Sequence, residues 1–241
     1  MSKKEALAVP TSILQENKII PAEITNGYSF MRIENIGQLK HLLTIAKNKG
    51  EYKERYGDQG IEGNPSYQQF IVYGIVTKKD GRFLLYQRSH DSKQYDEALL
   101  AGKISVGISG HIEPTDLSLP TSFYREFEEE TQLMVDGKPI QLRDENGKLN
   151  TRLMKQYIKI RPIGLIKDER DDVGKWHIGI ACMIEPKADN VDIQVKVGDE
   201  EENILSEYVT PKEFEARVQS GQIEPEGWAD IVYQEELKGT L

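Results

Sequence analysis

The stretch Gly110-His111-Ile112-Glu113-Pro114-Thr115-Asp116, followed by Arg125-Glu126-Phe127-Glu128-Glu129-Glu130-Thr131-Gln132-Leu133, decides how this chain is read. On a helix, Glu126, Glu129 and Glu130 stand at i, i+3 and i+4, so their carboxylates share one face. Like charges at that spacing repel, and such a face gains its purpose from a cation. Hard divalent cations such as Mg²⁺ take oxygen ligands and sit between a few carboxylates and a substrate phosphate. Arg125 is placed to pair with one carboxylate and fix its orientation. Pro120 followed by Thr121 or Ser122 marks a helix start. Phe123, Phe127 and Met134 fall on a narrow apolar stripe beside the acidic face. Upstream, Ile104 to Ile108 reads as a strand. Ser109 to Asp116 then reads as a strand-to-helix loop, in which Gly110 permits close backbone approach to a ligand. A Glu-rich helix face alone is usually only solvated. The glycine loop, the Arg-Glu pair and the flanking strand together favour a site.

Outward from this stretch, the pattern is mixed. Pro21 to Ile33 suggests one or two short strands around Asn26-Gly27, and Ile36 to Lys49 a helix stopped by Gly50. Tyr52 to Tyr67 reads as a long loop. Phe70 to Thr77 and Arg82 to Arg88 read as strands joined by a hairpin turn at Asp80-Gly81. Later strands are expected within Gln156 to Lys167, broken near Pro162, in Trp176 to Ile184, and from Ile204 to Val209. Thr210-Pro211-Lys212-Glu213 is a capped helix start, and Trp228 to Leu237 suggests a last helix. This alternation implies an α/β or α+β fold with one helix carrying the site.

The 241 residues carry a net charge of −9, which argues against a broad nucleic-acid or anionic-membrane surface. No apolar stretch reaches membrane-spanning length, and no signal-peptide core follows Lys3 and Lys4. A cytoplasmic location is the default expectation. The single cysteine, Cys182, excludes an intrachain disulfide and lies in an apolar run, as a core thiol does.

The central stretch resembles the Nudix box, G-x5-E-x7-R-E-U-x-E-E-x-G-U, with U a bulky aliphatic residue. Gly110 matches the first glycine, Arg125, Glu126, Glu129 and Glu130 match R-E and E-E, and Leu133 matches the final U. Asp116 stands where the family has its first glutamate, eight residues rather than seven precede Arg125, and Gln132 replaces the late glycine. Phe127 is an aromatic at an aliphatic position. Gln132 implies a helix that continues, or one that ends without a left-handed cap. The stretches Asn64 to Tyr73, Phe83 to Arg88 and Glu226-Gly227-Trp228 are similar to a bacterial branch of predicted Nudix phosphoesterases. The resemblance implies a Nudix-like α/β/α sandwich with a mixed sheet. Residues 1–66 would be an N-terminal extension packed on a hydrolase domain at 67–241.

Nudix enzymes use Mg²⁺ or Mn²⁺ to hydrolyse a diphosphate linked to another group, usually a nucleoside. The resemblance therefore implies Glu126, Glu129, Glu130 and the Gly110 carbonyl as metal ligands. It also implies catalytic roles for Glu129, Glu130 and Arg125, with Glu129 or a later acid acting on the water. Arg88, His111, Glu113 and Asp116 are candidate substrate-binding or outer residues, with a surface salt bridge an equal alternative for Arg88 and a satisfied loop histidine the alternative for His111. The run Asp199 to Glu202 could supply a late glutamate, although such runs are usually solvated. Trp176 could stack on a base. The partner expected is a small-molecule diphosphate, with a homodimer possible through the extension. A second reading is a non-catalytic nucleotide-binding or regulatory module on the same fold. A third is an isomerase of the isopentenyl-diphosphate type, which needs a placed cysteine that Cys182 does not supply.

Overall fold

The computed structural model describes residues 5–21, 23–57, 60–89, 99–116, 118–196 and 205–239, which form a mixed α/β fold. The chain divides into two compact units. One comprises Met1–Tyr73, Gly110–Ser122 and Pro162–Ala181, the other Gly74–Ser109, Phe123–Arg161 and Cys182–Leu241.

In the first unit lie β1 (Glu5–Pro10), α1 (Thr11–Glu16), β2 (Tyr28–Arg32), α2 (Ile36–Lys49) and β3 (Glu51–Glu54). The long strands β4 (Tyr67–Val76), β10 (Ile158–Asp168) and β11 (His177–Pro186) contribute to it, as does the end of β7 (Gly107–His111). The sheet order is β2-β10-β11-β4-β1-β3, with β7 on β4. β1 runs antiparallel to both β3 and β4, so that Ala8 faces Glu51 on one side and Gln69 on the other. From Gln68 onward β4 is buried at every position, which is why it reads as a near-continuous apolar run. Gly164 on β10 sits where a side chain would strike the Phe30 ring of β2. The helix α2 starts at a capping box, in which Asn35 accepts from the Gly37 and Gln38 amides and Gln38 accepts from the Asn35 amide. Its Leu39, Leu42 and Ala46 are buried, and Gly50 ends it as expected.

The second unit holds two three-stranded sheets. One has the order β12 (Val191–Val195), β8 (Thr131–Val135), β9 (Lys138–Pro139), and the other β13 (Ser206–Val209), β5 (Phe83–Gln87), β6 (Ile104–Ser105). Its helices include α4 (Thr151–Tyr157), α5 (Pro211–Gln219) and α6 (Gly227–Val232), and α3 (Leu119–Glu130) enters it at Phe123. The capping box at Thr210 and Glu213 forms as expected. Phe127, Leu133, Met154 and Ile193 are completely buried in one cluster.

Several expectations are corrected. The helix α3 does not run on through Gln132. It stops at Glu130, where the Thr131 hydroxyl donates to the Phe127 carbonyl, and the chain turns directly into β8, paired with β12 through Leu133 and Ile193. Met134 therefore belongs to a strand. No left-handed residue marks this exit, in line with the second alternative for Gln132. Part of the expected loop after Tyr52 is the strand β3, and β10 runs unbroken through Pro162. The Asp80-Gly81 turn forms, closed by the Lys78 amide on the Arg82 carbonyl and a bridge between Thr77 and Phe83, while β5 takes β13 and β6 as its strand partners. No helix among the described residues is long and apolar enough to cross a membrane.

The central place of Phe127 gives a direct test. Phe127→Ala should destabilise the protein by about 3–5 kcal/mol in denaturant titrations, the cost of an unfilled core cavity.

Candidate active site

The helix α3 has two unlike faces. Phe127 is in the core, whereas Glu129 and Glu130 are exposed. Glu126 sits between these extremes, with only 7% of its surface accessible. Arg125 bridges the acidic face, its Nη1 lying 2.5 Å from Glu126 Oε1 and 3.0 Å from Glu129 Oε2. A second arginine arrives after β9. Arg143 donates to Glu128 Oε2 at 2.6 Å and to Glu129 Oε1 at 3.5 Å. Lys196, just beyond β12, donates to the Glu128 carbonyl. Beside this face, Glu128, Gln132, Ile140, Leu142, Arg143 and Lys196 line an open cleft of about 410 Å³.

Burial pushes the Glu126 carboxyl up to about 7. Arg125 opposes that rise, and the negative charges of Glu129 and Glu130 add to it. The donors on this face are carboxylate oxygens, the ligand type that Mg²⁺ and Mn²⁺ prefer, so the residues fit such an ion.

The earlier members of the box, Gly110 to Asp116, belong to the first unit. Gly110 and His111 are the last residues of β7, not part of a loop from Ser109, and Ile112 continues the pairing. The Ile112 amide donates to Phe70 at 3.2 Å, and its carbonyl accepts from Leu7 at 2.9 Å. Asp116 is buried, and its Oδ2 accepts the Glu113 amide at 2.9 Å while its own amide donates to the Glu113 carbonyl. The side chain therefore closes a tight turn, which suits the shorter reach of aspartate. Glu113 is half-buried on that turn.

Arg88 has a buried partner, not a surface one. Its Nε lies 2.5 Å from Glu226 Oε2 and its Nη2 donates to Ser109 Oγ at 3.2 Å. Ser105 donates to the other oxygen of Glu226 at 2.7 Å, and Glu226 is 2% exposed. Glu226 was not singled out from sequence, although its presence in Glu226-Gly227-Trp228 was a signal.

His111 lies against residues that sequence reasoning did not connect with it. Its Nε2 is 3.2 Å from Nε2 of His177, and that atom is 3.6 Å from Glu62 Oε1. Nothing local in the sequence signals this trio. Trp176 is half-buried in a 3₁₀ turn before β11. Cys182 is buried in β11, and burial holds its thiol well above its ordinary value, consistent with a core role. The run Asp199 to Glu202 lies outside the described residues.

No protein-family model matches the chain. Protein YmaB of Bacillus subtilis (strain 168) is 29% identical over 179 residues, covering 70% of this chain and 72% of that protein. Among solved structures, Tm1382, a candidate Nudix hydrolase, aligns over 97% of this chain and 98% of its own with a TM-score of 0.63 and 22% identity. The chain therefore has a Nudix-type fold.

Two experiments probe these charges. The raised carboxyl of Glu126 keeps its proton in the folded state over a range where the unfolded chain has lost it. Stability therefore falls as pH rises from about 4.5 to about 7, by roughly 3 kcal/mol in all. Melting curves of metal-free protein should show this decline, and Glu126→Gln should flatten it. Arg88→Met should destabilise by about 3 kcal/mol by leaving Glu226 buried without its cation, and adding Glu226→Gln should recover much of that loss in denaturant titrations.

Proposed function

We propose that the chain is a metal-dependent hydrolase that cleaves the pyrophosphate bond of a nucleoside diphosphate derivative or a related organic pyrophosphate. The observation that carries this reading is the Arg125 bridge between Glu126 and Glu129 on the acidic face of α3, in a chain of Nudix-type fold. Glu126, Glu129 and Glu130 would hold Mg²⁺ or Mn²⁺. When bound, such an ion offsets the charge of a diphosphate and acidifies a coordinated water.

The chain's own residues supply orientation and proton transfer. Arg125 fixes the carboxylates of Glu126 and Glu129, so neither has to reorganise when charge develops nearby. Glu129 is exposed and held on both oxygens, by Arg125 and Arg143, which fixes its orientation toward a water it would position. Glu130 shares that face. Arg143 and Lys196 give the adjoining cleft cationic side chains for phosphate oxygens. Arg88 serves this reading by neutralising Glu226, whereas His111, Glu113 and Asp116 support the segment that carries Gly110. With a net charge of −9, a small phosphorylated molecule is a better substrate than a polynucleotide.

The test is a panel of pyrophosphate compounds, assayed for phosphate release and product mass with and without Mg²⁺ or Mn²⁺. Metal-dependent turnover is expected, and Glu129→Gln and Glu130→Gln should each lower kcat/KM by at least about 100-fold. Nucleotide binding without metal and without turnover would instead support the non-catalytic module.

A further inference from the structure

We propose that Glu62, His111 and His177 form a second metal site, selective for a borderline divalent cation of the Zn²⁺ class, that shares no residue with the acidic face of α3. The three side chains offer two imidazole nitrogens and a carboxylate oxygen, all within 4.8 Å of one another. The Nε2 atoms of His111 and His177 are 3.2 Å apart, and Glu62 Oε1 is 3.6 Å from Nε2 of His177. A tetrahedral ion with bonds of 2.0–2.1 Å would hold its ligand atoms about 3.3 Å apart. The observed separations are close to that edge.

The donors are oriented as ligands. Nδ1 of His177 contacts the Val173 carbonyl, which can only accept, so Nδ1 carries the proton and a neutral ring leaves a lone pair on Nε2. A backbone carbonyl in this role commonly sets the tautomer of a metal-binding histidine. His177 is completely buried, and the loop before it is pinned. The buried Lys167 donates to the carbonyls of Gly174 and Lys175, at 3.0 and 2.7 Å, and the Gly174 amide donates to Asp171. Glu62 is aimed in the same way. Its Oε2 accepts from Gln69 at 3.0 Å and faces Arg55 at 3.5 Å, leaving Oε1 toward His177. Its backbone is tied to Arg55 by the Glu62 amide.

The ligand set selects the ion. Two imidazoles and one carboxylate suit Zn²⁺, Co²⁺ or Ni²⁺ better than Mg²⁺, which prefers oxygen. Three protein ligands leave at least one position for water or another donor, and Glu62 and His111 are only half-buried. The acidic face of α3 offers carboxylate oxygens alone, so the two sites would sort cations by chemistry. Without an ion, the edge-on rings would share a hydrogen bond from Nε2–H of His111 to Nε2 of His177. The two states differ in metal uptake.

The experiment titrates the chelator-treated full chain with Co²⁺, following the visible ligand-field bands, and repeats the titration in competition with Zn²⁺. One Co²⁺ per chain with imidazole coordination is expected, displaced by Zn²⁺ and unaffected by excess Mg²⁺. His111→Asn and Glu62→Gln change half-buried residues, and each should weaken Co²⁺ binding at least about 10-fold. Their circular dichroism should match that of the parent, and Zn²⁺ should raise the melting temperature of the parent but not of His111→Asn. Glu129→Gln should leave the Co²⁺ spectrum unchanged, so this site and the hydrolase reading can fail separately. Absence of stoichiometric Co²⁺ uptake, or equal affinity in the parent and His111→Asn, would overturn the proposal.

Discussion

A buried carboxyl beside a packed aromatic ring is the constraint around which the acidic helix is built. Adjacent residues on a helix point about 100° apart, so Phe127 can enter the core while Glu126 stays at its margin. The core thus fixes the rotation of α3, and that rotation puts Glu129 and Glu130 in the open. Arg125 supplies the charge that a carboxylate at such a margin lacks. The end of the helix is set by the same packing. Leu133 enters the Phe127 cluster as part of β8, and the pairing of β8 with β12 brings Lys196 beside Glu128 and bonds its amide to the Glu130 carbonyl. Geometry at the carboxylates therefore depends on residues that never touch a ligand.

The parts of the fold that were legible in sequence are those whose identity is local. The helix α2 carries its own cap, its own apolar stripe and its own stop, and α5 carries its capping box. The strands β4 and β11 are long enough to show burial as an uninterrupted apolar run. By contrast, β3 is Glu-Tyr-Lys-Glu at the end of the sheet order, and only its pairing with β1 makes it a strand. Charged residues are usual on such an edge, where they discourage further pairing. β5 shows the limit of turn chemistry. Asp80-Gly81 forms its turn, but the partners of β5 are chosen by packing against distant segments.

The site divides along the same line. Spacing of three and four residues on one helix is a local property, so the acidic face and the Arg125 pairing were readable. The partner of Arg88 was not, because Glu226 is brought to it by long-range bonds, those between the Glu224–Glu226 backbone and Ile104 among them. The turn contact of Asp116 was not read from the sequence either: its side chain accepts the Glu113 amide. An Asp after Pro-Thr is as able to bond its own backbone as to reach outward.

His177 shows what sequence cannot reveal and packing can. Its ring is completely buried, and one nitrogen is held by the Val173 carbonyl. That arrangement requires the loop from Asp168 to Trp176 to keep one conformation, although the loop is rich in charge. Two buried charges hold it. Asp168 is paired with Arg170 through both oxygens. The Lys167 ammonium is lowered to about 8 by burial and bonds the Gly174 and Lys175 carbonyls. Removing a lysine from water is costly, and those carbonyls offset the cost only while the loop keeps its shape. The charged residues that make this segment look like solvated loop thus fix it in place, and that order extends to the imidazole at its end.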